Sequence, residues 1–144
     1  MFKLNEQKEF EFSEILIGQK DSFKIIVSES LIQDFANISG DTNPLHMDEK
    51  YAKNTRFEKI VCHGMLLASF FSKLIGVLLP GKKSLYFSQL LNFQNPCFIG
   101  DKVTVIGEVF EKSEVTKMVS LNTKIMNMDG KCLVEGVAKV IIRD

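Results

Sequence analysis

Cysteine, histidine and proline are scarce in this chain, and no charge of either sign prevails. Its 144 residues include three cysteines, two histidines and three prolines. Cys62, Cys97 and Cys132 are odd in number and far apart, which argues against a disulfide framework or a zinc site. They read as reduced core residues, and the apolar neighbours of Cys62 make its thiol inert. Eighteen Lys and Arg balance eighteen Asp and Glu, and no basic stripe alternates with aromatics. Nucleic acid is therefore not an expected partner. No apolar run reaches the ~20 residues of a membrane span, and there is no Gly-x-Ser-x-Gly nucleophile elbow. Repeats, low-complexity tracts and linkers are missing too, so a single domain over residues 1–144 is expected, burying roughly 70 per cent of the unfolded chain's surface. Met1 to Glu14 mixes Lys and Glu with scattered Phe and lacks the apolar centre of a signal peptide, which points to the cytoplasm.

What is present divides the chain by period. Residues 1–18 read as an extended lead-in, and Phe23 to Val27 as a first strand. Ser28 is a candidate N-cap for a helix whose Leu31, Ile32, Phe35, Ala36 and Ile38 share a face until Gly40 stops it. Asp48 caps a short helix through Tyr51 to about Asn54. A long apolar helix runs from Gly64 to Leu79, closed by Pro80 and Gly81, and Lys73 marks it as a core helix. Beyond it the pattern alternates: Ser84 to Phe93, then Val103 to Val109, then Met118 to Met128, then Cys132 to Ile142, with Asp129 and Gly130 as a type I′ hairpin signal. One strand, helices and then a meander is an α+β pattern, in which the long helix covers one face of an antiparallel sheet.

Chemistry concentrates in Asp41 to His46. Pro44 disfavours a helical Asn43, Gly40 frees the backbone, and Asp, Thr and Asn form local turns, so the segment reads as an ordered irregular loop. A carboxylate and an imidazole that share one water can orient it and remove its proton near neutral pH. The plainer reading is a turn in which Asp41 serves backbone amides and His46 is a half-exposed loop residue. The Gly64 region adds a third group. The first amides of a helix lack partners and its dipole is positive there, so they suit a developing negative oxygen. The alternative is that Gly64 only permits close packing.

Together these segments resemble the MaoC-like hydratases, most closely the R-specific enoyl-CoA hydratases. The motif Asp-x-Asn-Pro-Leu-His-x-Asp stands at Asp41 to Asp48, and the block His-Gly-Met-Leu-Leu-Ala-Ser at His63 to Ser69. The likeness extends through Leu79 to Gly81, Ser84 to Phe93 and Asn95 to Asp101. Ile60, where relatives often carry proline, and Cys62 depart from the pattern. The resemblance implies a single hot dog fold, an antiparallel sheet wrapped around a central helix, paired as a homodimer. It implies that Asp41 and His46 activate the water that adds to a trans-2-enoyl thioester and that the Gly64 amide polarises the carbonyl. Ser72 would line the site and Asn43 would brace the loop; the alternatives are that Ser72 bonds its own helix and that Asn43 simply forms a turn. No metal or other cofactor is implied.

Three activities stay open on the residues. The first is R-specific hydration of enoyl-CoA, with dehydration of 3-hydroxyacyl groups on acyl carrier protein as its variant. The second is a hot dog thioesterase, whose base must sit by the carbonyl instead of the β-carbon. The third is an acyl-thioester-binding module without catalysis, which has no need of Asp41, His46 and Gly64 together.

Overall fold

The computed structural model describes residues 6–144. Six antiparallel strands form one sheet in the order β1-β4-β5-β6-β2, with β3 also pairing β6. The strands are β1 (Lys20–Ile26), β2 (Ser84–Gln89), β3 (Asn92–Phe93), β4 (Lys102–Ser113), β5 (Met118–Asn127) and β6 (Cys132–Ile142). Four helices, α1 (Glu29–Ser39), α2 (Pro44–Met47), α3 (Glu49–Lys53) and α4 (Gly64–Lys73), lie between β1 and β2. Leu66, Leu67, Phe70, Phe71 and Leu74 bury their side chains against Val103, Val105, Ile125, Leu133 and Val134 of the sheet. Each such side chain contributes about 1.5–3 kcal/mol when fully buried. A sheet curled round one apolar helix is the hot dog arrangement expected from the sequence.

Several local expectations are corrected. The α helix of the expected 64–79 span ends at Lys73, and Leu74–Leu78 continue as a wider π turn. The wider turn is closed by the Leu79 amide donating to the Leu74 carbonyl. Ser84 to Phe93 is not one strand: a register shift between Tyr86 and Ser88 and a gap before Asn92 break it. The lead-in is not simply extended. Residues 1–5 lie outside the described part, while Phe12–Glu14 make a 3-10 turn that buries Phe12, and Ile15 is buried beside it. Ile38 leaves the apolar face of α1 and is exposed. In the β5–β6 turn only Gly130 takes a positive φ, so Asp129 does not form the type I′ turn that needs both residues there. The Asn127 carbonyl instead accepts from Gly130, and the Asn127 amide donates to Lys131. Among the described residues no helix is long and apolar enough to cross a membrane.

Candidate active site

The loop before α2 is built from its own side chains. Ser28 caps α1 at Leu31, and Gly40 ends it at φ 77°. The Ser39 hydroxyl accepts from the Asp41 amide, Asp41 Oδ1 accepts from the Asn43 amide at 3.1 Å, and Asn43 Oδ1 accepts from Leu45 at 3.0 Å. Asn43 is thus the N-cap of α2, with Pro44 in the first turn, where proline's missing N–H costs nothing. The expected irregular loop therefore narrows to Gly40–Asn43, and His46 stands on a helical turn. Asn43 forms this local cap and is not among the residues that line the cleft.

An extended segment, Val61–His63, crosses behind this turn. Its Cys62 amide donates to the Cys97 carbonyl at 2.7 Å, and its Val61 amide to the Leu45 carbonyl at 3.3 Å. His46 Nδ1 lies 2.5 Å from the Val61 carbonyl. A carbonyl can only accept, so Nδ1 carries the proton and Nε2 is left as the basic nitrogen. His63 then stands at the position before α4, and Gly64 is its first residue, whose amide has no partner within the helix.

Asp41, His46 and Gly64 open on one cleft of about 510 Å³, with Phe57, Phe93 and Val134 among its apolar walls. Asp41 is exposed, His46 half-buried and His63 buried. One ligand-type atom from each of these three lies within 4.8 Å of the others, and two such atoms can share a single water at about 2.8 Å from each. The same trio is the group whose spacing would suit a metal ion. His63 presents Nε2 to the Asp41 carbonyl at 3.0 Å, so that nitrogen is engaged as a donor and only Nδ1, which has no hydrogen-bond partner among the described residues, is left as a ligand atom.

Ser72 is not brought to the site. It is exposed on α4 and outside the cleft of the single chain, contrary to the expected buried helix face. Cys62 does line the cleft, but its thiol is pushed far above the ordinary cysteine range, first by the hydrogen bond with Cys97 and then by burial. It is no nucleophile at neutral pH. The residue that sequence reasoning left without a role is His63, whose ring lies 4.2 Å from that of His46, centroid to centroid. Its position immediately before Gly64 was the available signal.

Known proteins share this architecture. The (R)-specific enoyl-CoA hydratase of Aeromonas caviae is 43% identical over 124 residues, covering 86% of this chain and 92% of that protein. The enzyme of the same description from Rhodospirillum rubrum is 40% identical over 131 residues, or 91% and 90%. The unliganded R-hydratase structure from Pseudomonas aeruginosa superposes with a TM-score of 0.88 at 36% identity, covering 92% of this chain and 85% of that one. The sequence profile described as "MaoC like domain" matches residues 13–129, and the chain belongs to that family.

Proposed function

We propose that this protein is an R-specific enoyl-CoA hydratase, adding water to a trans-2-enoyl thioester to give the (R)-3-hydroxyacyl product, and catalysing the reverse dehydration. One observation carries the reading: Asp41, His46 and Gly64 line a single apolar-walled cleft, with ligand-type atoms of Asp41 and His46 within 4.8 Å of each other. Relatives at 40% and 43% identity that bear this description support it.

The geometry fits the reaction step by step. Asp41 and His46 Nε2 hold a water, and Nε2 takes its proton as the oxygen attacks the β-carbon. The π electrons move towards the thioester oxygen, giving an enolate-like transition state. The Gly64 N–H at the positive end of α4 then meets charge where it develops, and one such donor is typically worth ~3 to 4 kcal/mol. Returning the proton to the α-carbon on the same side completes a syn addition. Among the described residues Arg56 is the one Lys or Arg in the cleft lining, which suits a phosphate-bearing carrier.

The protein acts in this reading as a homodimer. Its edge strand β2 and the following segment expose Leu85, Phe87 and Leu90, each more than half exposed. Such a cluster on an unpaired edge suits a second copy of the chain. Ser72, outside the single-chain cleft, would join the site only where that copy extends it. Side-by-side unbridged thiols at Cys62 and Cys97 suit the reducing cytoplasm.

The direct test is to add crotonyl-CoA and follow loss of the conjugated enoyl absorbance, then assign the product's configuration with a chirally specific dehydrogenase. Hydration to the R product is expected. Release of free CoA thiol without hydration would instead identify a thioesterase.

A further inference from the structure

His63 is the most enclosed polar side chain around the cleft, at 1% exposure. Its ring is held between two others: edge-on to Phe35 at 4.9 Å and tilted 32° over His46 at 4.2 Å. Nε2 meets the Asp41 backbone carbonyl at 3.0 Å, across 22 positions of sequence. Because a carbonyl only accepts, Nε2 must bear the proton. Nδ1 is then a bare acceptor, and it is buried without a hydrogen-bond partner among the described residues. His63 occupies the N-cap position of α4 yet makes no capping bond.

A phenyl ring would fill this space without stranding a buried polar atom, which is a cost that native structures keep where the group has another use. The one hydrogen bond of the His63 side chain among the described residues goes to Asp41. That contact supplies what the Asp41 loop lacks. Its internal bonds, Ser39 to Asp41, Asp41 to Asn43 and the His46 amide to the Asn43 carbonyl, fix its shape, but none of them ties the Asp41 end to the Val61–Gly64 segment. His46 is meanwhile tied to Val61. The Val61–His63 segment thus holds the carboxylate loop through its last residue and the imidazole through its first, and continues directly into the Gly64 amide.

We propose that His63 is a positioning residue: by donating Nε2–H to the Asp41 carbonyl and packing on His46, it sets the separation at which the two hold one water. This rests on the hydratase reading. Displacement of reacting groups by about 1 Å costs ~100-fold in turnover, which sets the scale of the test.

His63→Gln keeps an uncharged N–H donor at similar reach, whereas His63→Asn is a good helix cap that is too short to reach Asp41. With crotonyl-CoA, His63→Asn is expected to lose ~30- to 100-fold in kcat with KM within about threefold, and His63→Gln to stay within about fivefold of wild type. Wild-type kcat in His63→Asn, or equal losses in both variants, overturns the proposal. Should either variant fail to fold by thermal unfolding, nitrogen NMR of the histidines in the wild-type protein decides. A protonated Nε2 and a bare Nδ1 at His63 support the contact, and the opposite tautomer overturns it. Wild-type protein that does not hydrate crotonyl-CoA sinks the hydratase reading instead, and the NMR result still judges the contact.

Discussion

Replacing Gly64 by alanine separates the chemistry of the cleft from the stability of the fold. The added methyl carbon would stand 2.9 Å from both Cδ1 and Cε1 of Phe93. Relaxed carbon contacts are ~3.5–4.0 Å, so the ring or the helix start must yield by about 0.6 to 1 Å. Phe93 is 53% exposed on the two-residue strand β3, and its ring can swing outward, which keeps the overpacking cost near the low end of ~1–3 kcal/mol. Alanine recovers part of this through helix propensity, up to ~1 kcal/mol over glycine. The net change in stability should therefore stay within about 1 kcal/mol, a few degrees in Tm. Turnover has no such offset. Losing one oxyanion donor costs ~100- to 1000-fold in kcat, and a displaced donor somewhat less, so Gly64→Ala should lower kcat by ~10- to 100-fold. Initial rates with crotonyl-CoA and a thermal melt measure the two effects separately. Placing Gly64→Ala in a Phe93→Ala background should recover at least about fivefold, because the clash is gone. A single Gly64→Ala variant with kcat within twofold of wild type would refute the assigned role of this amide.

Other outcomes follow from the same geometry. Asp41→Asn and His46→Ala should each cut turnover by at least ~100-fold while retaining the wild-type circular dichroism spectrum. Near-normal rates in both would remove the water-activating pair. Cys62 should resist alkylation at pH 8 in the folded protein and react once it is unfolded. Its raised thiol value also means that above pH ~9 the unfolded chain loses a proton that the folded chain keeps, so stability falls as pH rises. A Cys62→Ala variant should show a shallower fall in denaturant midpoints. For the proposed homodimer, Phe87→Glu on the exposed edge should shift sedimentation towards monomer, since an unpaired carboxylate at an interface centre is costly, and wild-type sedimentation as a monomer would remove the dimer.

The candidate site was legible at two levels of precision. Asp41 and His46 stood out because a short window combined a carboxylate, an imidazole and turn-forming residues, and each turn bond is local: Asp41 to Asn43, Asn43 to Leu45, Asp48 to Tyr51. Gly64 was visible as the entry of an apolar helix. Ser72 misled because an apolar helix read as buried all round, whereas Met65, Ser69, Ser72 and Lys73 leave one side of α4 open. The break of the 84–93 strand and the π turn after Lys73 were likewise hidden, since both arise where the sheet and helix must fit each other.

What the sequence by itself determined was the material of the site and the order of the elements: side chains that bond within four residues, a helix stopped by Gly40, and alternating apolar residues from Val103 to Ile142. Only the tertiary structure decided that Val61 selects the tautomer of His46 and that His63 reaches the Asp41 carbonyl. Those bonds join positions 15 and 22 residues apart. A contact at that range leaves no period or spacing in the chain, because it exists only after the sheet has closed around the helix and brought the two segments together.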